Sequence, residues 1–306
     1  MVLTAAEIPT STEPRKPVQT RARKRSWRRP SWRRIPVHVV VIVVAAIWLV
    51  PLIGLVVSSF RAPTDVLSTG WWESFADPAR YTMTNYERVL DREGMLLSFF
   101  NSMAIVVPAT LLVVVVSSAA AYALACMRFR FRRGVLLTMV ALLIVPVQIT
   151  LVPLLRVFNG LDLTGSFLGL WLVHLGYGVP FAIYLLHNFF SAIPRELFEA
   201  AEIDGASPSQ IFFEIVLPIS RPALASLAIF EFVWTWNDLL TALIFLGGFR
   251  EVAPMPVAVS GLVASRGNGW EVLTSAAMLS MIVPMVVFVA MQKHFVRGML
   301  AGISKG

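Results

Sequence analysis

The sequence predicts an all-α integral membrane protein with six transmembrane helices, both termini in the cytoplasm, and a short cytoplasmic helix between helices 4 and 5. Three observations carry this reading. Hydrophobic residues make up 57% of the 306 and charged residues 14%, with a mean hydropathy of +0.73, whereas a soluble domain carries charge on about a quarter of its residues. Several apolar runs reach the ~20 residues needed to cross ~30 Å of hydrocarbon. The basic residues are shared unequally between alternate loops, which sets the orientation.

Residues 1–35 form a basic arm. Ten of the 26 Lys and Arg precede Ile35, among them Arg21, Arg23, Lys24, Arg25, Arg28, Arg29, Arg33 and Arg34. Pro9, Pro14 and Pro17 lie among Ser and Thr with little to pack, so the arm is expected to be disordered. Trp27 and Trp32, set between arginines, suit an anionic membrane surface. The net charge of +8 is therefore read as a topogenic anchor, and no nucleic-acid partner is expected. The following run, Val37 to Phe60, exceeds the ~7–15 residues of a signal-peptide core and has no A-x-A site after it, so it is the first span. Cys126, the single cysteine, rules out an intramolecular disulfide, a CxxC redox pair and a cysteine zinc cluster.

Residues 36–306 form the membrane domain. Its spans are expected at about 37–60, 96–126, 134–155, 167–190, 222–246 and 272–292. Pro51, Pro108, Pro146, Pro153, Pro180 and Pro284 fall inside them and should kink helices whose freed backbone groups find partners in neighbours. Nineteen Lys and Arg lie on the side of the termini and seven on the other, which places both ends in the cytoplasm of a multi-pass plasma (inner) membrane protein. The outer segment 61–95 holds Trp71 and Trp72, read as interfacial belt residues.

The cytoplasmic connection between spans four and five is the most informative stretch. Pro194 suits a first helical position, and Glu196 complements the positive end of the helix dipole. Gly205 stops this helix. Ser207, Pro208 and Gln210 have capping-box spacing and open a second helix that ends near Pro218. Ala200, Ala201, Gly205 and Ala206 are too small to bury much area in lipid, but they let another protein's backbone approach closely.

Glu199-Ala200-Ala201, Asp204-Gly205-Ala206, Ile215, Leu217-Pro218 and Pro222 resemble the EAA loop of ABC importer permeases. The likeness extends over nearly the whole chain after the arm, through Asn101-Ser102, the run Ala119 to Ala125, Phe129-Arg130-Phe131, Pro146, Pro153, Gly160 and Leu161. Trp236-Asn237-Asp238 and the tail from Phe295-Val296-Arg297-Gly298 through Ala301-Gly302 to Lys305-Gly306 are similar to the carbohydrate-uptake branch, the maltose-type second permease (MalG-like). The resemblance implies a coupling helix seated in a cleft of an ATPase subunit, with Glu199, Ala200, Ala201, Asp204, Gly205, Leu217 and Pro218 as its coupling residues. It implies tail contacts to the ATPase subunits through Gly298, Gly302 and Lys305. The partners it implies are a second homologous permease, two ATP-binding subunits and an extracellular substrate-binding protein. ATP and Mg would be bound by those partner subunits, with no cofactor, metal or catalytic residue in this chain.

The residues themselves agree that energy comes from elsewhere, because the chain has no G-x-x-x-x-G-K-[S/T] loop. Span five carries two carboxylates, Glu231 and Asp238, seven residues apart, with Trp234 on the same stripe. Charges at membrane depth usually face a bundle interior or a wet path. Trp beside Asn and carboxylates also suits a sugar's flat face and hydroxyls. Glu231, Trp234, Trp236, Asn237 and Asp238 are therefore candidates for the substrate path, set against a structural contact or a helix cap. His174, His187 and Asn188 read as bundle contacts. A non-sugar importer permease and a secondary-transporter subunit remain as alternatives. The latter would carry its own coupling residues and usually more helices or a repeat.

Overall fold

The computed structural model describes residues 35–77, 80–266 and 269–303. The chain divides into two compact units, residues 1–50 and 51–306. The basic arm, 1–34, lies outside the described residues. What is described of the first unit is the beginning of helix α1 (Ile35–Ser59), where every residue from 35 to 50 is exposed. That stretch is apolar all round, as a helix surrounded by hydrocarbon must be.

Four helices are long and apolar enough to cross a membrane: α1, α4 (Met95–Cys126), α7 (Phe167–Phe190) and the Trp270–Gln292 stretch of α14 (Trp270–Ile303). At 1.5 Å per residue the 25 residues of α1 are ~38 Å long, enough to cross with some tilt. Two further pairs satisfy the same test only as bent units, Arg132–Leu142 with Val147–Gly160 and Pro208–Ile219 with Arg221–Trp236. Among the described residues there is no strand, beyond one isolated bridge between Arg61 and Tyr81.

The third expected span, 134–155, is not one helix. It is α5 (Arg132–Leu142) and α6 (Val147–Gly160), bent by 106°. Pro146 is the reason: it sits at the N-cap of α6 with ψ 126°, has no N–H to give, and disfavours helical geometry at Val145. The fifth expected span, 222–246, also breaks. α11 (Arg221–Trp236) stops after Trp236, and α12 (Leu240–Leu246) restarts beyond it. Asn237 Nδ2 donates to the Val233 carbonyl at 2.8 Å, and Asp238 Oδ1 accepts from the Thr241 N–H at 3.0 Å. The Asn237 side chain thus adds to the last helical bond, which its own N–H makes to the Val233 carbonyl at 3.2 Å, and Asp238 takes the Thr241 N–H that a continuous helix would give to the Asn237 carbonyl.

Three hydrophobic clusters hold the second unit together. One joins the C-terminal end of α4 to α7, α11 and the loop between them through Tyr122, Leu186, Phe190, Val216 and Leu227. Another packs α6 and α7 on α12, with Phe158 edge-on to Phe245 at 5.5 Å. The third gathers α4, α11, α14 and α13 (Met255–Arg266), a helix between the fifth and sixth expected spans. Asn101 and Ser102 hold that region in place. Asn101 Nδ2 donates to the Glu251 carbonyl at 3.0 Å, and the Met255 N–H donates to Ser102 Oγ at 2.8 Å.

The segment after α1 folds into α2 (Pro63–Ser68), a 3-10 turn (Trp71–Phe75) and α3 (Thr84–Asp91). Arg61, 2% exposed, donates to the Asp65 carbonyl at 2.6 Å and to Thr69, so a cation sits on the negative end of α2. Trp71 is half-buried. Its indole lies against Gly54, where a Cβ would come within 3.0 Å of the ring nitrogen. Trp72, by contrast, is 63% exposed.

Candidate functional site

The loop between α7 and α11 is built by local rules. α8 (Arg195–Ile203) begins one residue later than expected, with Pro194 as its N-cap at ψ 134°. Its end is a Schellman motif: the Gly205 N–H donates to the Glu202 carbonyl at 3.1 Å and the Ala206 N–H to the Ala201 carbonyl at 2.9 Å. Gly205 has φ +79°, and a Cβ there would meet nothing within 4 Å. Backbone conformation, not space, therefore requires the glycine. Ser207 then starts the next segment with a reciprocal capping box: Ser207 Oγ accepts from the Gln210 N–H, and the Ser207 N–H donates to Gln210 Oε1 at 2.8 Å.

Beyond α9 (Pro208–Gln210) the chain makes a π-helical turn, Ile211–Val216, and ends in α10 (Leu217–Ile219). The whole stretch Pro208–Ile219 meets α11 at 76°. One side of the loop is fastened to the bundle. Ala201 is buried, Phe198 and Ala206 pack on the inner cluster, and Leu217 and Pro218 are half-buried. Tyr122, near the C-terminal end of α4, packs tilted on Phe212 at 5.0 Å and donates its hydroxyl to the Pro208 carbonyl at 3.0 Å. The other side is open. Glu199, Ala200, Asp204 and Gly205 are exposed, and so are Leu197 and Ile203, the latter at 85%. The two alanines of the motif thus face opposite ways. Tyr122 had appeared in the sequence only inside an alanine-rich run, and nothing local marks it as the loop's anchor.

A cavity of about 770 Å³ opens between the α5–α6 bend, α6, α7 and α11. Its wall is mostly apolar. Glu231, 3% exposed, and Trp234, 54% exposed, both line it. An aromatic row runs along α11 and α7: Phe230 lies 4.6 Å from Phe181 and stacks on Trp234 at 5.9 Å. Opposite them, Thr150 Oγ1 and Tyr177 Oη share a hydrogen bond of 2.8 Å. Gly178 leaves room for the carboxylate, since a Cβ there would come within 2.9 Å of Glu231 Oε2.

The other three path candidates are elsewhere. Trp236 is 1% exposed, stacks on Phe232 at 5.8 Å, and donates Nε1–H to the Ser280 carbonyl at 3.0 Å. Asn237 and Asp238 serve the helix break, and Asp238 Oδ2 lies 3.9 Å from Nε2 of the buried His174. The expected stripe of Glu231, Trp234 and Asp238 does not exist, because the helix ends before Asp238. His174 is a bundle contact, as read. Gly298 and Gly302 fall in the last turns of α14, where side chains lie outside the described residues, as does Lys305. Among the described residues no group of His, Cys, Asp and Glu could hold a metal ion.

Comparison with known proteins identifies the architecture. Residues 113–301 match the family model described as binding-protein-dependent transport system inner membrane component. The osmoprotective compounds uptake permease protein GgtD of Synechocystis is 48% identical over 90% of this chain and 93% of its own length. The alpha-glucoside transport system permease protein AglG of Rhizobium meliloti is 46% identical over 75% of this chain and 62% of its own length. A crystal structure of a bacterial ABC transporter involved in the import of the acidic polysaccharide alginate has the same fold, with a TM-score of 0.73 at 23% identity over 87% of this chain and 98% of the solved one. An apolar helical bundle with a short, capped, outward-facing loop between α7 and α11 is therefore what its sequence resemblance implied, and the chain belongs to the binding-protein-dependent transport system inner membrane component family, as a membrane permease of an ABC importer.

Proposed function

We propose that this chain is one of two permease subunits of a carbohydrate importer, carrying a small neutral glycoside inward with ATP hydrolysed by two partner subunits and solute delivered by an extracellular binding protein. The observation that carries it is the open face of α8, where Glu199, Ala200 and Gly205 are presented beside exposed Leu197 and Ile203 on a loop fixed to the bundle by Tyr122. Exposed apolar side chains around small residues suit close docking of another protein. In this reading Glu199 through Gly205 seat on an ATPase subunit, Leu217 and Pro218 set the angle of entry into α11, and Gly298, Gly302 and Lys305 add a second contact. ATP and Mg are held by the ATPase subunits. Family membership leaves no place for an ion-driven secondary transporter. The sugar assignment draws support from relatives named for alpha-glucosides and for melibiose, raffinose and stachyose.

The topology belongs to the same proposal. Counting α5 with α6 as one span and α11 with α12 as another gives six, and the nineteen-to-seven basic split places both termini in the cytoplasm. Residues 1–35 act as a basic cytoplasmic arm and 36–306 as the permease domain. Two experiments test this. Cysteines placed at Ser11 and Ser304 should react with an impermeant reagent only after the inner face is opened, and labelling in intact cells would reject the orientation. The purified chain alone should neither hydrolyse ATP nor move solute. The complete complex in proteoliposomes should accumulate trehalose, sucrose or maltose when ATP and binding protein are supplied, and ATP-driven uptake by the lone chain would reject the assembly.

A further inference from the structure

We propose that Glu231 is a specificity-determining residue, accepting hydroxyl groups of a neutral polyhydroxylated solute at the α7–α11 cavity and turning acidic sugars away. The inference rests on the carbohydrate-permease reading above and specifies the chemistry of its path. Glu231 is 3% exposed and lines the cavity, yet no described residue donates a hydrogen bond to its carboxylate. An ionised carboxylate is acceptor-only, with two oxygens able to take several donors. Burying one at membrane depth without a donor is unfavourable unless something else fills that role. Oε2 lies against the bare backbone of Gly178, where a Cβ would come within 2.9 Å of it, and both residues line the cavity.

The rest of the lining selects among ligands. Among the described residues no Lys, Arg or His lines the cavity, so an acidic sugar would meet a like charge and no counter-ion from them. Phe181, Phe230 and Trp234 offer flat apolar faces of the kind that stack on the C–H face of a sugar ring. Thr150 and Tyr177 hydroxyls are both donor and acceptor, and a polyol satisfies them together with the carboxylate. A quaternary ammonium would suit the carboxylate and the rings but would leave those two hydroxyls without a solute partner. The volume, about 770 Å³, lies within the ~300–1,000 Å³ of small-molecule sites.

The test uses the complete complex in proteoliposomes with labelled trehalose, sucrose and maltose, with digalacturonate as the acidic probe and glycine betaine as the cationic one. Wild type should take up at least one neutral sugar and neither of the other probes. At subsaturating sugar, Glu231→Leu should lower uptake about 100-fold, and Glu231→Gln, which keeps one acceptor oxygen, about tenfold. The Gln variant should also admit digalacturonate at a measurable rate where wild type admits none, since the repulsive charge is gone. A structural role would not produce that change in selectivity. Wild-type sugar uptake by Glu231→Leu would overturn the proposal, and so would failure of both variants to co-purify with the partner subunits, which would make Glu231 a bundle contact. Preferred uptake of digalacturonate or betaine by wild type would overturn the neutral-solute class. A complex that hydrolyses ATP with binding protein but accumulates none of the sugars would instead overturn the carbohydrate reading beneath it.

Discussion

Two helix breaks in this chain, at 203–208 and at 236–241, reach the same result by different physics. At the first, α8 ends in a Schellman turn at Gly205 with φ +79°, and Ser207 caps the next segment within three residues. Every group involved is a near neighbour in sequence. At the second there is no glycine or proline. α11 ends because Asn237 and Asp238 take backbone partners, while Trp236 is locked to the Ser280 carbonyl 44 residues away. A break made by a residue with special backbone freedom can be read from a short window. A break made by ordinary polar side chains cannot, since Asn and Asp near an apolar run serve equally as caps or as path-lining groups.

The largest effect should come from Trp236. Trp236→Ala removes a fully buried indole between Phe99 and Phe232 and should cost ~3–5 kcal/mol. Thermal stability of the detergent-solubilised complex should fall with membrane abundance. Normal stability with lost uptake would return Trp236 to the substrate path and erase the contrast between the two breaks.

Gly205→Val comes next. Forcing a β-branched residue to φ +79° costs on the order of 1–2 kcal/mol, too little to unfold the bundle. Abundance should stay normal while uptake and solute-stimulated ATPase are largely lost. Wild-type coupling would mean that this turn does not transmit, and loss of the protein would mean that the glycine serves folding.

A paired test then sharpens the comparison. Ser207→Ala and Asp238→Ala each remove a cap worth ~1 kcal/mol. Asp238→Asn keeps that cap and should restore stability. If Asp238→Asn instead loses uptake at normal stability, the charge is needed for transport. The smallest effect is expected from Tyr122→Phe, which deletes one hydrogen bond to the Pro208 carbonyl worth ~0.5–1.5 kcal/mol while keeping the ring on Phe212. Solute-stimulated ATPase should fall partially without a change in abundance, and an unchanged ratio of ATPase to abundance would remove Tyr122 from the coupling loop's support.

The sequence by itself determined the elements whose causes are short-ranged. Apolar length marked α1, α4, α7 and the Trp270–Gln292 part of α14, and turn chemistry fixed α8, the positive φ at Gly205 and the Ser207–Gln210 box. It also separated the arm from the apolar remainder by charge. Only the tertiary structure decided which residues meet. The cavity takes Thr150 from α6, Tyr177 and Gly178 from α7, and Glu231 and Trp234 from α11. The same holds for Asn101 and Ser102 on the α12–α13 connection and for Trp71 against Gly54. In water, a helix shows its inner face as an apolar stripe against a polar one. In lipid, the outward face is apolar as well, so hydrophobic period no longer says which side is buried, and close approach of small residues and side-chain hydrogen bonds does the choosing.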